Sequence, residues 1–124
     1  MSDKLAQFAG QQYLNLESYR KNGQAVRTPL WFAEGDDVLY FYTVADSYKV
    51  KRLRHNPRVR IAPCDARGRV KGEWVEATAQ RLDAAGARRA DELLNRKYGL
   101  LKRVLNFFGK LRGHERAAFA IRLD

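Results

Sequence analysis

Apolar and polar residues alternate, with short interruptions, along most of the chain, and this pattern predicts β-strands. The predicted strands are Tyr13–Arg20, Ala25–Ala33, Val38–Val44, Arg58–Pro63, Lys71–Leu82 and Ala117–Leu123. Tight turns rich in Asn, Asp and Gly separate the first three strands, at 21–24 and 34–37. These strands are therefore expected to form an antiparallel meander. Pro29 marks an edge or a bulge, because proline cannot donate a ladder hydrogen bond.

Three other stretches have the periodicity or the capping residues of helices. Ser2–Gly10 is expected to be a short helix, and an Asp-Ser pair should cap a helix at Tyr48–His55 that stops before a proline. Ala84–Gly113 repeats apolar residues at steps of three and four, with Gly99 as a candidate break between two helices. Together these elements predict one domain over residues 1–124, a mostly antiparallel barrel with helices packed outside it.

The chain is strongly basic: 24 Lys and Arg against 14 Asp and Glu give a formal net charge of +10. Such a charge attracts polyanions, which include nucleic acid, anionic lipid and phosphorylated cofactors, but a solvated basic surface accounts for it equally well. The single cysteine, Cys64, excludes an internal disulfide framework. No signal peptide and no apolar run of the roughly 18 residues that a membrane span needs are recognisable, so the cytoplasm is the expected compartment.

The sequence lacks the motifs of common phosphate-binding, dinucleotide-binding and metal sites, and it shows no obvious set of catalytic residues. There is no glycine-rich phosphate loop, no dinucleotide-binding glycine motif and no Cys/His cluster with metal-ligand spacing. Cys64 lacks an obvious activating base and is expected to be a small apolar packing residue. If the protein is an enzyme, a cofactor must therefore supply the difficult chemistry.

One segment has the pattern of an anion-binding site. A strand ends in Thr43, and a helix begins after Ser47 with Lys49 in its first turn. A helix N-terminus offers free N–H groups and a positive dipole end to an anion, and hydroxyls and a lysine there suit a phosphate. Lysine at this end opposes the helix dipole, which favours a bound anion. The alternative is a surface helix with solvated basic side chains.

This segment resembles the pyridoxamine 5'-phosphate oxidase superfamily, in which a strand ending in Tyr-Thr precedes a helix bearing Ser and Lys and then Asn-Pro. The chain is most similar to the deazaflavin (coenzyme F-420)-dependent oxidoreductases of that superfamily. The similar stretches occur in the expected order and are 13–17, 26–32, 49–54, 62–68 and 96–99. The resemblance implies an antiparallel split β-barrel, the FMN-binding split barrel, with flanking helices.

The resemblance also implies roles for individual residues. The cofactor ring is expected to lie along the strand that contains Arg27, with backbone groups on the edge of the ring, and the phosphate is expected at the Thr43–Lys49 turn. Arg27 matches a phosphate-contacting arginine of the oxidases, and Lys51 is a further candidate contact to phosphate or to a polyglutamate tail. The full cofactor-binding set is Arg27, Thr28, Pro29, Leu30, Trp31, Tyr42, Thr43, Ser47, Lys49 and Lys51. No catalytic residue is assigned, and Tyr40, Tyr42 and Tyr48 are proton-donor candidates by residue type alone.

Two departures from the oxidase pattern weaken the case for pyridoxamine phosphate oxidation and for tight FMN binding. Tyr48 stands where the oxidases carry a second phosphate-binding arginine, and Phe32 stands where they carry a lysine. The expected function is therefore an oxidoreductase that binds F-420 at a homodimer interface, to which Trp31 and Trp74 contribute, and that transfers hydride to a small unsaturated substrate.

Three alternatives stay open at the level of sequence. An FMN-dependent oxidase or reductase of the same fold is the nearest. A basic nucleic-acid-binding module is less favoured, because no recognition motif is present and any binding to nucleic acid is expected to be sequence-independent. Weak membrane-surface association through 100–112 is the third, since that stretch mixes apolar and basic residues as interfacial helices do.

Overall fold

Seven antiparallel strands form a single sheet in the computed structural model, which describes residues 3–105 and 116–124. The strands are β1 (Tyr13–Tyr19), β2 (Ala25–Trp31), β3 (Ala33–Gly35), β4 (Val38–Val44), β5 (Arg58–Cys64), β6 (Val75–Arg81) and β7 (Arg116–Leu123). The helices are α1 (Asp3–Ala6), α2 (Tyr48–His55) and α3 (Ala84–Leu105). The strand order is β2-β1-β5-β6-β7-β4-β3.

This order requires the sheet to curl into a barrel. The strands β2 and β3 are the two edges of the sheet, yet only Phe32 separates them along the chain. Because consecutive residues cannot lie far apart, the two edges must meet at Phe32. The barrel is therefore closed by chain continuity rather than by a ladder of hydrogen bonds, and the prediction of a mostly antiparallel split barrel is confirmed.

The expected single strand Ala25–Ala33 and the three-strand meander are wrong. The chain changes edges at Phe32, whose backbone N–H and C=O both bond to the Tyr98 hydroxyl. Two separate hairpins result: β1 pairs with β2, and β3 pairs with β4. The second hairpin turns at Asp36 and Asp37, with φ values of 56° and 63°, as a type I′ turn requires. Pro29 lies on an edge strand, as predicted.

Other elements also differ from the prediction, and the first helix ends at Ala6 rather than at Gly10. The strand expected at Lys71–Leu82 begins at Val75, because the Gln7 side chain bonds both the N–H and the C=O of Glu73 in place of a neighbouring strand. The helix α3 runs through Gly99 without a break, since one glycine costs a helix only about 1 kcal/mol. The end of the predicted helix 84–113 lies outside the described residues. Among those described, no helix has the length and apolar character needed to cross a membrane.

Alternation along the strands produces two apolar clusters. Leu14, Leu16, Phe41, Ile61 and Phe119 fill the barrel interior, and Val50 and Leu53 of α2 pack against the same core. Trp31, Tyr40, Leu94 and Tyr98 form the second cluster, in which α3 covers the outer face of the sheet. Neighbouring residues of one strand therefore belong to different layers, and this decides which of the predicted site residues can meet.

Candidate functional site

The turn between β4 and α2 brings Thr43, Ser47 and Lys49 together. The Lys49 amine donates to Thr43 Oγ1 at 3.3 Å, and the Thr43 and Ser47 hydroxyl oxygens are 3.5 Å apart. Ser47 has an extended backbone and caps α2, because its Oγ accepts the Val50 N–H at 3.3 Å. The sequence folds this way because a short polar residue in front of a helix satisfies one of the free N–H groups of its first turn.

Lys49 is a half-buried cation without a neutralising carboxylate in the described part of the chain. The amine also lies near the positive end of the helix dipole, which disfavours a cation, and the first turn of α2 contains no acidic residue that would offset this. Burial, and secondarily the charge of Arg52, lower the pKa of Lys49. An anion bound here would offset three costs, namely the burial of the charge, the repulsion from Arg52 and the unfavourable helix dipole. The hydroxyls of Thr43 and Ser47 are suitable hydrogen-bond partners for it.

The strand β2 offers its outer backbone edge, because β1 occupies only one side of it. The Arg20 N–H bonds the Gln24 carbonyl at 2.9 Å, which makes this pair a hydrogen-bonded pair of the hairpin. Hydrogen-bonded and non-bonded pairs alternate in an antiparallel ladder. Thr28 and Leu30 therefore bond to β1, whereas the backbone groups of Arg27 and Pro29 point towards the outer edge. Proline at such a position removes no ladder bond.

The Arg27 side chain is held by a partner that sequence reasoning missed. Glu17 is only 3% exposed and accepts from Arg27 at 2.8 Å, while Arg60 lies 3.5 Å away on its other side. Burial alone would raise the pKa of Glu17, but the hydrogen bonds from Arg27 and Tyr19 and the two positive charges lower it overall. Both guanidinium groups also lie over the half-buried Trp74 ring. Arg27 thus belongs to a cluster on the outer face of the sheet.

Trp31 and Tyr42 are turned away from the Lys49 site. Trp31 is 4% exposed and stacks on Tyr98, with ring centroids 4.3 Å apart, so it is buried in its own chain and cannot contribute to a partner interface as expected. The Tyr42 hydroxyl donates to the Ala87 carbonyl at 3.1 Å, and burial, followed by Asp91, raises its pKa. Both side chains lie under α3, so any cofactor contact from these positions would come from the backbone.

Lys51 lies on a different side of α2 from Lys49. Two positions along a helix turn the side chain by about 200°. Lys51 lines a cavity of about 480 Å³ together with Arg52, His55 and residues at the end of the β1–β2 hairpin. The sequence contained no local signal for this cavity, because its two walls come from segments about thirty residues apart.

Other reactive groups offer no competing site. Cys64 is buried, and burial raises the pKa of its thiol to about 11, so the nucleophilic thiolate is scarce at neutral pH. Within residues 3–105 and 116–124, no three His, Cys, Asp or Glu side chains converge in the manner of metal ligands. Tyr40 donates to Asp36 at 3.0 Å, and burial raises its pKa as well, which makes it a poor proton donor.

Comparisons with known proteins agree with this architecture. The profile of a protein family described as pyridoxamine 5'-phosphate oxidase matches residues 1–121. No curated protein sequence matches the chain.

Solved structures give the same fold at low sequence identity. A FAD-binding protein from Mesorhizobium loti is 19% identical with a TM-score of 0.68, over 100% of this chain and 91% of that protein. An F420 reductase is 17% identical with a TM-score of 0.60, over 100% and 95%. The heme storage protein of Vibrio cholerae is 12% identical with a TM-score of 0.68, over 98% and 88%. At such identities these likenesses concern the fold alone.

Proposed function

Because the chain belongs to the pyridoxamine 5'-phosphate oxidase family, we propose that it is an oxidoreductase that binds the deazaflavin F-420 and transfers hydride to a small unsaturated substrate. The observation that carries this proposal is the half-buried, unneutralised Lys49 amine, 3.3 Å from Thr43 Oγ1 at the N-terminus of α2. A cation in this position is costly without an anion and fits the phosphate of such a cofactor.

The proposed roles follow from where each group lies. Lys49, Thr43 and Ser47 hold the phosphate, and the outward backbone groups of Arg27 and Pro29 bond the edge of the ring. The bound cofactor would supply the hydride, so the protein contributes orientation and electrostatics. The Arg27 side chain bonds Glu17 through Nε and is 57% exposed, so its terminal nitrogens remain accessible to a phosphate, as the resemblance implies.

An FMN-dependent oxidase or reductase of the same fold is the second candidate. It is supported by the same phosphate site, since a terminal phosphate would fit Lys49 equally well. F-420 is preferred because Tyr48 and Phe32 replace the arginine and lysine of the oxidases. A nucleic-acid-binding module has only the overall basic charge in its favour.

Titration of the purified protein with F-420 and with FMN tests the function, with absorbance and Trp fluorescence as readouts. We expect saturable binding of F-420 that is at least about tenfold tighter than binding of FMN, a difference of about 1.4 kcal/mol. Tighter binding of FMN would select the second candidate. A protein that binds neither cofactor would share the fold of the family without its function.

Cofactor binding is expected to weaken as the pH rises through the lowered pKa of Lys49. The protonated amine attracts the phosphate, so above the pKa of the free protein each binding event must take up a proton. The Kd should then rise about tenfold per pH unit. Because burial lowers this pKa from 10.5, the rise should begin at a lower pH than an ordinary lysine would give.

The matched variant for this measurement is Lys49→Arg, whose guanidinium stays charged throughout and should remove the pH dependence. A wild-type Kd that stays constant up to the pKa of an ordinary lysine would show that Lys49 does not contact the anion.

The proposed assembly is a cytoplasmic homodimer. The family resemblance places the cofactor between subunits, and a barrel of this size has only a shallow groove of its own; the single cysteine is consistent with a reducing compartment. Sedimentation of the cofactor-loaded protein at micromolar concentration should give a dimer. A loaded monomer would contradict the shared site.

A further inference from the structure

A separate cavity lies where α3 passes the start of β3. Its volume of about 380 Å³ is in the range of pockets that hold small molecules. The residues that line it are Gly10, Ala33, Glu34, Leu93, Arg96 and Lys97. None of these residues belongs to the proposed cofactor-binding set or lines the cavity beside Lys51. We call it the α3 cavity.

The Lys97 amine is held in the wall of the α3 cavity. It donates to the Gln11 carbonyl at 2.7 Å, and it lies 3.8 Å from the centroid of the Phe32 ring and 5.3 Å from that of the Tyr98 ring. Within the described residues the carboxylate that acts on it is that of Glu34, at a longer range than an ion pair. The amine is therefore fixed in position without being neutralised.

These surroundings make Lys97 a nucleophile near neutral pH. Burial, only partly offset by the Glu34 carboxylate, lowers the pKa of the amine from 10.5 to about 8. A lysine becomes nucleophilic when desolvation releases its proton, because only the neutral amine has a free electron pair. Neutral Lys97 still has N–H groups, so it can keep its bond to the Gln11 carbonyl while the electron pair is available for attack.

The α3 cavity also contains a cation that an anionic group can reach. The Arg96 side chain is 69% exposed, and its Nη2 bonds the Glu92 carboxylate at 2.8 Å, so the other guanidinium nitrogens stay accessible. A guanidinium of this kind suits a carboxylate. Glu34 lines the same cavity and is partly exposed, so it can accept and return protons through water. The cavity thus combines a nucleophilic amine with a contact for an anion.

We propose that Lys97 is the covalent binding site for a small aldehyde that bears a carboxylate. The amine adds to the carbonyl carbon to give a carbinolamine, the nitrogen then loses a proton, and the hydroxyl leaves as water, so that an imine joins the ligand to Lys97. The reaction is a condensation and needs no oxidant or reductant. The carboxylate of the ligand pairs with Arg96, and Glu34 relays the proton from the nitrogen to the leaving hydroxyl. The inference goes beyond the proposed function and does not depend on it.

Reductive trapping of the full-length protein with glyoxylate and cyanoborohydride tests the proposal. Cyanoborohydride reduces the imine to a stable carboxymethyl amine, which peptide mass spectrometry locates. At about pH 7.5, Lys97 should be labelled at least about tenfold faster than the exposed Lys71. The physical reason is that a pKa of about 8 gives roughly 200 times more neutral amine than an ordinary lysine has, although a less basic amine is also a weaker nucleophile. In urea-unfolded protein the two lysines should be labelled at similar rates.

Variants show which part of the ligand is recognised. Arg96→Ala should slow glyoxylate labelling of Lys97 about two- to fivefold, the range for loss of an exposed ion pair, and should leave labelling by acetaldehyde unchanged. The matched control is Arg88→Ala, which removes an exposed charge from the same helix outside the cavity and should change neither rate. Lys49→Ala should also leave labelling of Lys97 intact, which separates this site from the cofactor site even if the protein binds no cofactor.

Three results would overturn the proposal. Labelling of Lys97 at the rate of Lys71 in the folded protein would show that the amine is not a selective nucleophile. A preference for Lys97 that persists in urea would assign it to the local sequence rather than to the cavity. A preference for Lys97 over Lys71 that is the same with acetaldehyde as with glyoxylate would show that the carboxylate is not recognised.

Discussion

Replacing Lys49 with alanine is expected to weaken cofactor binding about 10- to 100-fold. The amine would make a charge-assisted hydrogen bond to the phosphate, worth about 1.5–3 kcal/mol, and about 1.4 kcal/mol corresponds to tenfold in affinity. The measurement is a fluorescence titration of F-420, and of FMN, against the wild type and the variant.

The same substitution should leave the fold intact or stabilise it slightly. In the free protein the amine bonds a hydroxyl and lies near the positive end of a helix, and burial lowers its pKa. Its removal therefore gives up one hydrogen bond but also ends the cost of burying a charge beside the positive end of the helix. A loss of affinity together with an unchanged urea midpoint would assign Lys49 to the binding site rather than to the structure.

Arg54→Ala is the appropriate control for Lys49→Ala, because Arg54 is exposed on the same helix. Arg58, which the sequence suggests as a residue pointing away from the site, is less suitable, since it pairs with Asp124 at 2.8 Å and lines a cavity beside the end of the β1–β2 hairpin. If Lys49→Ala binds both cofactors as tightly as Arg54→Ala and the wild type do, the phosphate assignment is wrong.

Local interactions explain what could be predicted from the sequence. The helix α2 was predictable because its cap, Ser47, and its buried residues, Val50 and Leu53, are close neighbours along the chain. For the same reason Thr43, Ser47 and Lys49 could be identified as a group, because they are close along the chain, where a strand ends and the next helix begins.

Interactions between distant residues explain what could not be predicted. The break at Phe32 depends on Tyr98, 66 residues later, and the late start of β6 depends on Gln7, 66 residues earlier than Glu73. Neither bond leaves a periodic signal in the sequence. The Glu17–Arg27 pair and the cavity between α2 and the β1–β2 hairpin also depend on register and on packing between elements, which hydrophobic patterns do not specify.

Removal of a single hydroxyl, in Tyr98→Phe, is expected to destabilise the protein by about 1–3 kcal/mol. Tyr98 is 2% exposed, and its hydroxyl accepts the Phe32 N–H at 3.2 Å while facing the carbonyls of Phe32 and Gln12 at 2.5 and 2.7 Å. Since a hydroxyl has one hydrogen, it donates to one carbonyl at a time. The variant would leave these main-chain groups without this partner at the point where the two edges of the sheet meet.

Tyr98→Phe keeps the aromatic ring and its stacking on Trp31, so the loss of stability reports the hydrogen bonds of the hydroxyl alone. Urea unfolding measures the change, and a lower midpoint with an unchanged slope is expected. Tyr48→Phe is the control, because Tyr48 is exposed and its substitution should change stability by no more than about 0.5 kcal/mol. If Tyr98→Phe unfolds at the same urea concentration as Tyr48→Phe, the hydroxyl does not stabilise the junction between β2 and β3.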